Sequence, residues 1–210
     1  MTLSILALGL LANIMSMVLY LRGMVKGDAR PSRVTNFAWA LEGGIALAAS
    51  WSDGVRWGLL PVMVAFVGPF SVLCLSYSLK QAAWKTSPFD FVCGVLAVIG
   101  LILWKVTGNP NLAILFSIFA GTTAAFPTII KSWRHPDTEI AAGYLLPVIG
   151  YATSFVALER YSFSEIAYPA YCVAICALIA GLIIVGRCRH RRLGTDADQP
   201  HRIKYKPLER

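Results

Sequence analysis

Long apolar stretches alternate with short clusters of charged or turn-forming residues along nearly the whole chain. A helix needs about 20 mostly apolar residues to cross a bilayer core of about 30 Å. Seven stretches approach this length, and each is predicted to be a helix, because backbone polar groups in lipid must be paired internally. The predicted helices are residues 3–21, 34–51, 57–79, 89–106, 111–131, 139–158 and 164–185.

The composition indicates one membrane domain and little else. Apolar residues make up 57% of the 210 residues and charged residues 14%, whereas about a quarter of the residues in a soluble domain are charged. We therefore expect residues 1–187 to form a transmembrane domain and residues 188–210 a basic, disordered tail. No positive residue precedes the first apolar stretch, so we expect a retained helix rather than a signal peptide.

The distribution of lysine and arginine predicts the orientation of the helices. The connections after helices 1, 3 and 5 and the tail carry 16 of the 19 positive residues, and the other three are Arg56, Lys105 and Arg160. Because positive residues accumulate on the cytoplasmic side, we expect the N-terminus outside and the C-terminus in the cytoplasm. The net charge of +8 then favours contact of the tail with anionic lipid headgroups over binding of nucleic acid.

An internal repeat is found at a shift of 105 residues. Pro31 maps onto Pro136, Lys26 onto Lys131, and Trp39 onto Tyr144. The fold class predicted from this match is an all-α membrane protein of seven transmembrane helices, arranged as two three-helix repeats and a linker helix (3+1+3). The repeats span about 1–80 and 111–186, with 89–106 as the linker. An even number of helices separates their starts, so the repeat is parallel.

This architecture resembles the PQ-loop superfamily, which includes the SWEET sugar transporters. The stretch from Phe126 through Pro127 to Trp133 resembles the PQ-loop motif. The whole chain is also similar to small bacterial membrane proteins of undefined function, through Arg30-Pro31-Ser32-Arg33-Val34-Thr35 and through the stretch from Pro127 to Pro136. The resemblance implies a bacterial inner membrane protein that carries a small polar solute by alternating access.

The sequence departs from the PQ-loop pattern at two positions. Thr128 stands where the motif has glutamine, and Arg22 stands in the first repeat where Pro127 maps. The resemblance therefore implies the fold and transport, but not a preference for sugars. The alternative function is a membrane receptor, sensor or assembly partner that does not transport, because a fold does not fix a function. The oligomeric state is left open.

Glu42 is the clearest polar residue at mid-membrane depth. A buried carboxylate is costly unless it is paired or protonated, so Glu42 either lines a central cavity or bonds to a neighbouring helix. Asn36 and Trp39 precede it at intervals of three residues and share its helix face. An aromatic ring beside a hydrogen-bonding acid suits an amphiphilic solute, and aromatic packing is the alternative.

Further candidates for the substrate site are the repeat-related Tyr144 and polar residues of helices 1, 5 and 6, namely Asn13, Thr123 and Tyr151. Serine and threonine in membrane helices often bond to their own backbone or to another helix instead. Prolines interrupt the hydrogen-bond ladders of four helices and are candidate hinges. They are Pro69, Pro127, Pro147 and Pro169.

The sequence predicts no enzyme, no cofactor and no metal site. The three histidines lie in the predicted connections and the tail, whereas an intramembrane metal centre would need histidine and carboxylate ligands that converge within the bundle. Cys172 and Cys176 share a helix face, but no second pair lies at metal-ligand spacing. We therefore interpret the five cysteines as small packing residues rather than disulfides or zinc ligands.

Overall fold

The computed structural model describes residues 2–52, 59–79, 84–106, 110–157 and 163–193. Every regular element within these ranges is helical, which confirms the all-α prediction. Two short 3₁₀ segments, Pro136–Thr138 and Thr153–Ala157, flank α6. The α-helices are α1 (Thr2–Lys26), α2 (Arg33–Ser52), α3 (Leu59–Ser78), α4 (Pro88–Val106), α5 (Pro110–Arg134), α6 (Ala142–Ala152) and α7 (Phe163–Leu193).

Three helix ends differ from the sequence prediction for identifiable reasons. α1 continues to Lys26 and stops at Gly27, whose φ of +81° is typical of a helix C-terminus. α6 begins only at Ala142, because Pro136 starts a 3₁₀ turn and Glu139 is extended at φ −132° and ψ 154°. α7 continues to Leu193, so part of the predicted tail is helical, and its last turns are basic, which the helix dipole favours.

We call α1–α3 and α5–α7 the two helix groups. α3 packs against both α1 and α2, and α7 packs against both α5 and α6. Between the groups, α1 packs on α6 and α2 packs on α5. α4 lies against α5 and α2. The two groups therefore meet along two separate helix pairs.

Small residues let the helix backbones approach closely at these interfaces, as is common among membrane helices. A Cβ placed on Gly43 of α2 would lie 2.9 Å from the Cα of Phe66 on α3. A Cβ on Gly9 of α1 would lie 2.0 Å from the Thr153 hydroxyl. A side chain at Gly43 would force α2 and α3 apart, because it would meet backbone atoms.

The buried core lies between the two groups. Tyr20 and Met24 of α1 pack with Tyr144 of α6 and with Ile179 and Ile183 of α7. The outer surface is also strongly apolar: Leu11, Phe91 and Val106 are between 63% and 77% exposed.

Two of the described helices are long and apolar enough to cross a membrane. They are Ser4–Lys26, with a mean hydropathy of 2.0, and Ile166–His190, with a mean hydropathy of 2.4. Shorter apolar helices span Met63–Ser78 and Ala142–Val156. The two long helices suggest association with a membrane by length and composition alone.

Candidate functional site

A cluster of tyrosines surrounds Glu42 between α2 and α7. The hydroxyl of Tyr168 donates a hydrogen bond of 2.8 Å to Oε1 of Glu42. The Tyr168 ring lies 6.1 Å, between centroids, from the ring of Tyr171 one turn later, as the three-residue spacing on a helix face requires. The carboxyl group predicted as the central polar residue is therefore bonded to a helix from the other group.

Tyr171 presents an unsatisfied polar group in this cluster. Its hydroxyl is buried and has no hydrogen-bond partner that meets ordinary geometry among the described residues, although Thr122 of α5 lies beside it. A Cβ placed on Gly121 would lie 2.7 Å from this hydroxyl oxygen, so the ring lies directly over the α5 backbone. Buried polar groups without partners are rare in proteins, and here the unpaired group lies next to Glu42.

Tyr151 and Cys172 complete what we call the tyrosine cluster, which consists of Glu42, Tyr151, Tyr168, Tyr171 and Cys172. The buried thiol of Cys172 lies beside the hydroxyls of Tyr151 and Tyr168. Tyr151 on α6 is within electrostatic range of Glu42. The cluster thus brings together polar groups from α2, α6 and α7, and α5 forms its side at Gly121.

A second cluster of polar side chains is buried where α1 ends and α6 begins. Lys131 of α5 forms an ion pair with Glu139, and the two side chains are 1% and 0% exposed. Burial of charges is costly unless each is paired and hydrogen-bonded. The Lys131 ammonium group also donates to the carbonyl oxygen of Arg30, so the connection between α1 and α2 provides part of its coordination.

Two tyrosines satisfy the other carboxylate oxygen of Glu139. The Tyr20 hydroxyl donates to Oε2 at 2.6 Å and the Tyr144 hydroxyl at 3.2 Å. The two rings meet edge to face, with centroids 6.1 Å apart, a favourable geometry for aromatic pairs. Through Tyr20, α1 is therefore hydrogen-bonded to the buried carboxylate of Glu139, which lies in the turn before α6.

Arg187 of α7 fixes the same turn from the outside. It donates to the backbone carbonyl of Glu139 and, at 3.3 Å, to that of Pro136. Its guanidinium group also lies 3.8 Å from the carboxylate of Asp137, an exposed pair that contributes little. We call the end of the bundle that carries Arg30, Lys131, Glu139 and Arg187 the basic end.

The residues predicted from sequence fall into different surroundings. Glu42 and Tyr151 belong to the tyrosine cluster, whereas Tyr144 bonds to Glu139 at the basic end. The Asn36 amide donates to the Ser32 carbonyl of its own helix start, at 2.9 Å.

The remaining candidates lie in helix interfaces or bond locally. The Thr123 hydroxyl donates to the Phe119 carbonyl of its own helix at 2.7 Å. Trp39 packs against the buried core, and the Asn13 amide lies against Gly150. Each candidate hinge proline lies inside a helix that continues on both sides of it: Pro69 in α3, Pro127 in α5, Pro147 in α6 and Pro169 in α7.

Sequence reasoning missed the buried ion pair and two of the tyrosines. Lys131 and Glu139 stand at the two ends of the connection between predicted helices 5 and 6, and only the fold shows that they are enclosed. Tyr168 and Tyr171 were not among the candidate residues, although the neighbouring Pro169 was a candidate hinge. The position of Tyr168 before a proline in an apolar helix was the available signal, because a polar side chain at such a depth needs a partner.

No group of three or more potential metal ligands occurs within the described ranges. Comparison of the chain with protein-family models, with curated proteins and with solved structures gives no match.

Proposed function

We propose that this chain is a membrane-embedded transporter of a small polar solute, which binds at the tyrosine cluster between two three-helix units. The units are α1–α3 and α5–α7, and α4 joins them. Alternating access then consists of rocking one unit against the other around a site that remains between them.

The apolar exterior supports insertion into a membrane. Leu8, Leu11 and Met15 on α1, and Phe91 and Val95 on α4, are all more than 40% exposed. Large contiguous apolar surfaces are rare on soluble proteins. A lipid environment removes the cost of exposing these apolar side chains to water. This holds also for the helices that are shorter than the two long apolar ones.

The packing pattern supports two equivalent units. Within the units, α3 and α7 occupy the same place, each between its two sister helices. If the two units are equivalent, α1 corresponds to α5 and α2 corresponds to α6. The contact between α1 and α6 then corresponds to a contact between α5 and α2, and both contacts are present. This pattern is expected of a parallel repeat with an axis along the membrane normal.

The hydrogen bond between Glu42 and Tyr168 is the observation that carries the proposal. It joins the two units at a partly buried site, and among the described residues the Tyr171 hydroxyl beside it has no hydrogen-bond partner of ordinary geometry. A solute that carries hydroxyl or amine groups can supply the missing bond and compete for Glu42, while the tyrosine rings cover its apolar face. Solute binding is thereby coupled to the contact between the units.

Uptake into liposomes tests the proposal. The purified protein is reconstituted and offered labelled sugars, amino acids and vitamins, with and without a proton gradient. For the solute that enters, we expect Tyr168→Phe and Tyr171→Phe to lower uptake about tenfold, as expected for the loss of one hydrogen bond in a buried polar site. Tyr77→Phe is the control, because Tyr77 is 61% exposed on α3.

Glu42→Gln separates proton-linked from passive transport. If Glu42 carries the coupling proton, this variant abolishes the response to the proton gradient and retains exchange of solute. Absence of uptake for every class, together with a protein partner that co-purifies stably, would instead favour a receptor or assembly partner and reject transport.

A further inference from the structure

A groove of about 480 Å³ runs along the outside of the bundle between α2, α3 and α4. Its lining changes along its length. Arg33 and Tyr77 lie at one end, and Phe37, Phe91, Val95 and Ile99 line the rest. α2 and α4 start from the same end, because the Trp84 amide donates to the Pro31 carbonyl at 3.1 Å. The groove therefore opens at the basic end and becomes apolar away from it.

Arg33 holds a fixed positive charge at this opening. Its Nη2 donates to the Ser76 carbonyl at 2.6 Å, and its Nε lies 3.3 Å from the Ser76 hydroxyl. The guanidinium carbon lies 4.4 Å from the centre of the Tyr77 ring. These contacts use two of five N–H groups and orient the others.

Arg33 forms no ion pair with any residue that the structure describes. A half-buried, oriented guanidinium group without a counter-ion favours an anion with several acceptor oxygens, such as a phosphate. The exposed Lys85, next to the groove residue Thr86, adds a second positive charge nearby.

The shape of the groove limits what fits into it. Phe91 to Ile99 spans about 12 Å of helix at 1.5 Å per residue, so 480 Å³ corresponds to a cross-section of about 40 Å². A helix about 10 Å across needs about twice that area. The groove would therefore enclose only part of a helix, whereas its cross-section suits a flexible hydrocarbon chain.

We propose that this groove binds an anionic phospholipid, with the phosphate on Arg33 and one acyl chain along Phe37, Val95 and Ile99. The inference rests on the membrane location in the proposed function, but not on transport. An oriented arginine at the basic end attracts anionic headgroups, and the aromatic and branched side chains bury the acyl chain. The bound lipid joins α4 to α2 along a lateral face of the first unit.

Native mass spectrometry of the full chain in detergent tests the proposal. The delipidated protein is titrated with phosphatidylglycerol and phosphatidylcholine that carry identical acyl chains. We expect the wild type to retain phosphatidylglycerol about fivefold more strongly, as one cation near a headgroup predicts. Arg33→Gln should abolish this preference, whereas Arg22→Gln, which removes an exposed charge at the same end, should not.

A second variant pair tests the apolar part of the groove. Val95→Trp fills the groove and should abolish retention of either lipid. Leu96→Trp is the matched control, because Leu96 is the next residue, is similarly exposed at 39% against 43%, and does not line the groove. Thermal unfolding of each variant verifies that the bundle is intact.

Three results would overturn the proposal. The first is equal retention of the two lipids by the wild type. The second is unchanged lipid retention in Val95→Trp. The third is unchanged lipid retention in Val95→Trp together with the loss of a dimer that the wild type forms. The last result would assign the groove to a second copy of the chain. Selective retention without solute uptake in liposomes would reject transport and leave the lipid site standing.

Discussion

Lys131 and Glu139 form an ion pair that is closed to water, although only His135 and a three-residue 3₁₀ turn separate α5 from Glu139. The carboxylate enters the bundle because Glu139 is extended and not helical. Tyr20 and Tyr144 then occupy its second oxygen. The pair is therefore held by groups of α1, the connection after α1, α5 and α6.

Removing one charge of this pair should destabilise the protein more than removing both. Lys131→Met and Glu139→Leu each leave an unpaired buried charge, so we expect each to lower the free energy of unfolding by about 3–5 kcal/mol. The double variant leaves no charge and should recover more than half of either loss. Unfolding in mixed detergent and SDS micelles, followed by circular dichroism, measures these values.

Lys26→Met provides the control for the ion pair. Lys26 is the repeat-related residue but is exposed at the end of α1, so its loss should change stability by less than about 0.5 kcal/mol. If the two single changes at the ion pair simply add in the double variant, the two charges do not stabilise each other.

Arg187 should contribute more to stability than Arg189, two residues further along α7. Arg187 bonds to two carbonyls of the turn before α6, whereas Arg189 bonds to one, that of Trp133, at 3.1 Å. Hydrogen bonds to charged groups contribute about 1.5–3 kcal/mol when well formed. We therefore expect Arg187→Ala to cost about 2 kcal/mol more than Arg189→Ala in the same unfolding assay. Equal costs would mean that the turn does not depend on α7.

Gly43→Ala should destabilise the contact between α2 and α3. The added methyl group would lie 2.9 Å from the Cα of Phe66 and 3.0 Å from the Ala65 carbonyl oxygen, and neither backbone atom can turn aside. Overpacking of this kind costs about 1–3 kcal/mol. Gly68→Ala on α3 is the control, since nothing lies within 4 Å of its added methyl group. This change should be neutral or stabilise by up to about 1 kcal/mol. A tolerated Gly43→Ala would show that α2 and α3 are not in backbone contact.

Cys188 reports the orientation of the bundle. Its thiol is exposed near the end of α7, which the charge distribution predicts to be cytoplasmic. Because Cys74 is exposed too, the experiment uses a Cys74→Ser background. A membrane-impermeant maleimide should label Cys188 in inverted vesicles and not in intact cells, and Cys188→Ser should remove the signal. Labelling in intact cells would reverse the predicted orientation.

The sequence was informative where one helix decides the outcome. Apolar length predicted the helical class, and the mid-helix position of Glu42 predicted a polar site that the structure pairs with Tyr168. Period and length are properties of single segments, so they can be obtained without knowing how the helices pack.

The sequence was uninformative where the partner of a side chain depends on how two distant segments pack. Tyr144 was expected beside Glu42 because of its match to Trp39, but its hydroxyl points to Glu139 five residues earlier. That pairing depends on the extended backbone at Glu139, which places the carboxylate next to α1. A repeat match cannot predict this, because the first repeat has Val34 where Glu139 maps.

The backbone of Arg30 has a consequence for how the chain is made. Its N–H donates to the Thr138 carbonyl at 2.9 Å, and its carbonyl accepts from Lys131. On a ribosome, residues 131–138 emerge about a hundred positions after Arg30, which takes roughly 5–20 seconds at usual elongation rates. During that interval the peptide that connects α1 to α2 would have only water as its partner, so its final position would depend on translation of residues 131–138.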